Sequence, residues 1–256
     1  MEKKTFSAAI GRIREFCLKP RVFLLLVLAA SAVMRLIAWD WTPVLERDSV
    51  AYINAAAVWA ETGKYIVPQF PPLPCYLIKL LIQLGLAPET AARLYAFVPG
   101  CLVPLAAYAI ALETTRNARV ARYTAVFCIV HPTLLFFSAM PIRDSLYILL
   151  AGVSLWIGFL AVRDQETRLW VLFACCSALT WCCRHEGVEF LPLAAVTLAF
   201  QLCRKRYPWR KAALHFLLFL LIMPTLWYFL SFAAGGAEPF NVQVVLVKEH
   251  FRDFIR

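Results

Sequence analysis

Apolar runs of near-bilayer length recur seven times along this chain, at residues 21–39, 89–112, 119–138, 142–162, 168–183, 187–203 and 211–233. A helix needs about 20 apolar residues to cross the hydrocarbon core, where every backbone N–H and C=O must find its partner inside the segment. The fifth run is short. With 62% hydrophobic and 16% charged residues, the chain carries too little polar surface for one soluble core of 256 residues. The expected fold is all-α: a polytopic membrane protein of about seven transmembrane helices.

A shorter apolar stretch at 73–87 is interrupted by Lys79 and bounded by prolines, so it reads as a re-entrant or interfacial helix. The basic start, including Lys3, Lys4, Arg12, Arg14, Lys19 and Arg21, precedes a first span with no convincing cleavage site, which makes that span a signal anchor. Most of the 26 Lys and Arg residues fall in this start or in the alternate loops at 116–122, 163–168 and 204–211. Cytoplasmic loops retain basic residues, so the N-terminus is expected in the cytoplasm. The net charge of +10 then reflects topology and lipid headgroups; split among four segments, it forms no nucleic-acid stripe. The expected layout is a cytoplasmic N-terminus at 1–20, a membrane module at 21–233 with a first outer loop at 40–88, and an outer tail at 234–256.

On this topology the polar clusters collect on one side of the membrane. In the first outer loop, Tyr52, Ala55, Ala56 and Trp59 follow Asp48 at helical spacing, the pattern of a helix lying along the interface with its aromatics in the headgroup layer, and Gly63 is a plausible stop. Asp48 there is either an N-cap, a duty Ser49 could share, or a reactive carboxylate with Glu46 beside it. In the second outer turn, Asp144 at the start of the next span favours the helix dipole, and Arg143 could pair with it or hold a phosphate. In the third, Arg184-His185-Glu186-Gly187 sets an arginine beside a carboxylate; a guanidinium fork gives phosphate two directed hydrogen bonds and a charge that is not lost.

These three places carry a family resemblance. Asp48 followed by Tyr52, an Ala-rich helix, Gly63 and then Pro68 through Pro72-Leu73 resembles the first outer loop of the GT-C integral membrane glycosyltransferases, which include protein mannosyltransferases and the aminoarabinose transferase of lipid A. Pro141-Ile142-Arg143-Asp144-Ser145-Leu146 resembles their second acidic motif. Ala178-Leu179-Thr180, Arg184-His185-Glu186-Gly187 and Leu191-Pro192 are similar to their fifth-to-sixth span junction. The resemblance spans about residues 20–233. It departs at Ser49, where the family has a second acidic residue, and at Trp181-Cys182-Cys183, which intervene between Thr180 and Arg184. Relatives continue into further spans, so a compact member, a truncated copy or an incomplete product are all open.

The resemblance implies transfer of a hexosyl or pentosyl group from a polyprenyl-phosphate donor to a glycan, lipid or protein acceptor outside the cytoplasm, with inversion. Asp48 would be the general base; Arg184, and Arg143 or Lys79, would neutralise the departing phosphate. Glu46, Asp144 or Glu186 would orient substrate, and a divalent metal, if any, would sit on Asp48 and Asp144. The expected location is a plasma membrane, such as the bacterial inner membrane. A transporter or flippase of lipid-linked sugars and an inactive fragment are the alternatives. The nine cysteines read as small apolar packing groups, His131-Pro132 as a kink, and His215 as structural.

Overall fold

The computed structural model describes residues 19–41, 45–65 and 70–235. The start of the basic N-terminal segment, Pro68 and nearly all of the 234–256 tail lie outside the described residues. The described chain is helical: α1 Pro20–Trp41, α2 Arg47–Thr62, α3 Pro72–Gln83, α4 Pro88–Thr115, α5 Ala118–Val130, α6 Pro132–Ala139, α7 Asp144–Asp164, α8 Thr167–Cys183, a 3₁₀ turn His185–Glu189, α9 Phe190–Cys203 and α10 Trp209–Gly235. Proline opens α3, α4 and α6, where its missing N–H costs nothing. Gly63 ends α2 at φ 71°, its N–H bonded to the Trp59 carbonyl, which meets the expected stop.

Five segments are long and apolar enough to cross a membrane: α1, α4, α7, His185–Cys203 and α10. A sixth is the α5–α6 pair, bent by 53° at His131-Pro132, where the ring of Pro132 cannot continue the hydrogen-bond ladder. The seven expected spans therefore reduce to five or six by length and composition. The missing one is α8, whose 17 residues extend about 25 Å. It nevertheless packs along α7, where Arg184 just past its end meets Asp144 at the start of α7, and Thr167 at its own start meets His215 of α10.

α4 is the central helix, touching α1, α2, α3, α5, α6 and α7, while α8 lies between α7 and α10. Gly100 permits a close approach of α4 to α6: a Cβ there would stand 2.3 Å from the Ser138 Cβ of α6. One apolar cluster, including Trp170, Phe173, Trp181, Phe219 and Met223, joins α7, α8, α9 and α10. A second joins α2, α3, the start of α4, Leu146 of α7 and Cys183 of α8.

This second cluster changes the reading of α2. Tyr52 and Trp59 are 2% and 3% exposed and Ala55 and Ala56 are buried, so the apolar face packs on protein, not into a headgroup layer. It buries there because α3 and the start of α4 supply apolar partners, and Tyr52 stacks on Phe70 at 4.4 Å. α3 is a short helix packed on α2, α4, α8 and α10.

The basic loops share one end of the bundle. Glu113 at the end of α4 holds Arg163 at 2.7 Å and Arg116 at 2.6 Å, and Gln165 donates to the Arg206 carbonyl. At that end His215 is held between Tyr207 and Thr167, with Trp170 stacked on it. Asp144 and Arg184 lie at the opposite ends of α7 and α8.

Candidate active site

Four of the charged residues singled out in the sequence meet where α7 begins and α8 ends. Arg143 is the residue before α7 and Asp144 opens it; Arg184 follows α8, and Glu186 lies in the 3₁₀ turn. Arg184 Nη1 is 2.5 Å from Asp144 Oδ1, and its Nε is 2.8 Å from Glu186 Oε1. Its guanidinium also lies over the Tyr147 ring, 5.4 Å from the centroid. Burial works against the Arg184 charge, but the contacts with Glu186 and Asp144 outweigh it and raise the pKa above the ordinary value.

The local chain explains this display of Arg184. The three residues that set this chain apart from the usual spacing each find a different wall. Trp181 stacks on Trp227 of α10 at 4.4 Å and 11°, Cys182 is buried, and the Cys183 thiol donates to the Arg143 carbonyl at 3.4 Å. Just before them Thr180 bridges to Ser154 of α7 at 3.3 Å. With the end of α8 pinned, the 3₁₀ turn must fold straight back. Gly187 makes that possible, because a Cβ would fall 2.4 Å from the Trp181 backbone nitrogen.

Arg143 differs from Arg184. Among the described residues no carboxylate stands within ion-pair distance of it. Its charge acts on the buried Tyr52 hydroxyl, whose pKa burial raises and Arg143 partly draws back, and more weakly on Glu186, whose charge it partly offsets. Tyr52 thereby ties α2 to the α7–α8 junction. Asp48 sits one helical turn before Tyr52 and is exposed, as is Glu46.

The capping expectation for Asp48 is corrected. Glu46 occupies the N-cap position of α2 and makes no side-chain cap bond; Asp48 lies inside the first turn, where its charge favours the dipole without closing the helix end. Lys79 stands apart from the arginines: its ammonium lies 4.8 Å over the Trp59 ring and 5.8 Å over Tyr76. The suggested metal on Asp48 and Asp144 does not fit this arrangement. Asp144 is paired with Arg184, and among the described residues no three His, Cys, Asp or Glu side chains gather as ligands. The eight described cysteines are free and four of them are buried.

Two contributors escaped the sequence reading. Tyr147 carries a signal that could have found it, three residues after Asp144 and so on the same helix face. Cys183 carries none, since its partner is a carbonyl forty residues away. Beside this junction an apolar cavity of about 270 Å³ is lined by Pro72, Leu73, Tyr76, Cys182, Leu230 and Ala233.

The sequence pattern that defines the dolichyl-phosphate-mannose-protein mannosyltransferase family matches residues 69–228, more than half of the chain. The chain belongs to that family. It is a membrane glycosyltransferase of the GT-C superfamily, a class that uses lipid-linked sugars. The matched segment contains Lys79, Arg143, Asp144, Arg184 and Glu186, and begins after Glu46, Asp48 and Tyr52. No curated protein matches the chain.

Proposed function

We propose that the chain transfers a sugar from a polyprenyl-phosphate donor to an acceptor hydroxyl or amine on the outer side of the membrane, inverting the anomeric carbon, with Asp48 as general base. The observation that supports this reading is the seating of α2 by Tyr52 against the Arg143 end of α7, with Asp48 exposed one helical turn before Tyr52.

In the proposed reaction the Asp48 carboxylate takes the acceptor proton while the acceptor oxygen or nitrogen bonds to the anomeric carbon. The bond from that carbon to the phosphate oxygen breaks, and the polyprenyl phosphate departs with the electron pair and its negative charge. Arg143 is assigned to stabilising that charge: no carboxylate among the described residues holds it in an ion pair, although it also offsets the excess negative charge around Arg184. Arg184, held by both Asp144 and Glu186, is assigned to holding the rim together. Glu46 is assigned to orienting the acceptor. Lys79, seated on aromatic rings, takes no part in phosphate binding on this reading. The apolar cavity beside Cys182 suits the isoprenoid chain nearest the phosphate. No step is routed through a metal.

The outer placement is supported by the basic loops at the other end of the bundle, since cytoplasmic loops retain basic residues; the proposal includes a cytoplasmic N-terminus and a plasma membrane. Purified protein supplied with a polyprenyl-phosphate sugar and candidate acceptors should release polyprenyl phosphate and form a glycoside of opposite anomeric configuration. Retention of configuration would exclude Asp48 as a base acting directly on the acceptor.

A further inference from the structure

α1 carries a charge that the rim does not use. Arg35 lies six residues, or about 9 Å, inside the Trp41 end of a helix apolar enough to cross the membrane. It is 0% exposed. Its Nη1 donates to Ser31 Oγ at 2.7 Å and weakly to the Ser31 carbonyl at 3.3 Å. Nε and Nη2 have no partner among the described residues, and no carboxylate there lies within ion-pair distance.

Those two nitrogens form the side-on edge of the guanidinium, the pair of parallel N–H groups that grips carboxylate or phosphate with two hydrogen bonds. The unmet donors are thus a matched pair. A buried charge with unmet donors destabilises a fold, and an apolar residue of the same volume is tolerated better. An intramembrane arginine in this state points to a bound group.

The surroundings add an entrance. Arg35 Nε lies 3.1 Å from where a Cβ on Gly100 would stand, and that position also adjoins Ser138 near the end of α6. Ser138 is itself held by the carbonyls of Leu134 and Leu135, so it offers its hydroxyl to its own helix. α6 is only eight residues long and joins α5 through the 53° break at His131-Pro132. A swing about that break would move Ser138 away from Gly100 and uncover the edge of Arg35.

We propose that Arg35 is a second oxyanion site, separate from the Arg143 rim, that receives the phosphate of a membrane-embedded lipid when α6 swings out. Phosphate is favoured over carboxylate because the site lies within reach of the headgroup layer, where phosphate is the oxyanion that an apolar chain carries to this depth. Two lipids share that chemistry, a polyprenyl phosphate and a membrane phospholipid.

Full-length protein in a neutral, phospholipid-free detergent would be titrated with farnesyl phosphate, farnesol and phosphatidylglycerol, for the wild type, Arg35→Met, Arg35→Lys and Arg143→Gln. The wild type should bind farnesyl phosphate in preference to farnesol. Arg35→Met should weaken phosphate-lipid binding by at least about tenfold, with Arg35→Lys intermediate because it keeps the charge and loses the fork. Arg143→Gln should retain an Arg35-dependent component. The same Arg35 dependence with phosphatidylglycerol identifies bulk lipid as the source; dependence with farnesyl phosphate alone identifies the carrier. Equal affinities of wild type and Arg35→Lys for both phosphate lipids, or equal binding of farnesol and farnesyl phosphate, overturn the proposal. No transfer assay enters the test, so its result is independent of the proposed reaction.

Discussion

Arg184 Nη1 stands 2.5 Å from Asp144 Oδ1, fastening the residue that ends α8 to the residue that opens α7, forty positions earlier. Both side chains are partly buried, at 29% and 17% exposure, which places the pair between a solvent-screened contact and an interior one. Glu186 reaches the same guanidinium from the 3₁₀ turn, so these three side chains carry one net negative charge, which nearby Arg143 offsets.

A double-mutant cycle measures the strength of this fastening. Asp144→Asn and Arg184→Gln should couple by about 1 kcal/mol in thermal unfolding, above the lower end for surface pairs and below the ~3–5 kcal/mol of breaking a fully buried one. Coupling near zero would mean that the two side chains do not hold α7 to α8.

Asp48→Asn tests the base. The residue is exposed in the first turn of α2 and is not its cap, so loss of its charge should cost only ~0.3–1 kcal/mol of helix-dipole stabilisation. Transfer should fall at least ~100-fold, the usual scale of general base catalysis, with donor binding kept. Near wild-type turnover would move the search to Glu46 and Asp144.

Gly187→Ala should be more damaging than its size suggests. The new Cβ would meet the Trp181 backbone at 2.4 Å, and neither the pinned end of α8 nor the turn can yield easily. A loss of ~2 kcal/mol or more is expected, with Glu186 displaced from Arg184. Thermal unfolding of detergent-solubilised protein reads the first effect. Unchanged stability would show that the turn has another route past α8.

Nucleotide sugars should not replace the lipid-linked donor. A polar rim beside an apolar cavity, on the side proposed as outer, suits a phosphate carried by an isoprenoid chain. Transfer by purified protein from a nucleotide sugar, with no lipid carrier present, would contradict the proposed donor.

The placement of the rim is checked by cysteine labelling in a Cys-free background. Lys64 and Lys205 are exposed at the two ends of the bundle, and single cysteines there should react with an impermeant maleimide from opposite sides of the membrane, Lys64→Cys from outside. Labelling of both from one side would remove the outer rim.

The sequence by itself determined that the chain is helical and membrane-borne, because runs of near-bilayer length depend only on composition and length. It also determined the break at His131-Pro132 and the stop at Gly63, where the residue type itself restricts the backbone. Arg143, Asp144, Arg184 and Glu186 were legible as candidates because charges at span ends are few. Tertiary structure alone decided which of them touch, giving Arg184 two carboxylates and leaving Arg143 without one among the described residues. It also turned the apolar face of α2 onto protein, and set Arg35 among Ser31, Gly100 and Ser138. Periodicity shows that a face is apolar but not what covers it, and ion pairing depends on distances across helices that neighbouring residues do not encode.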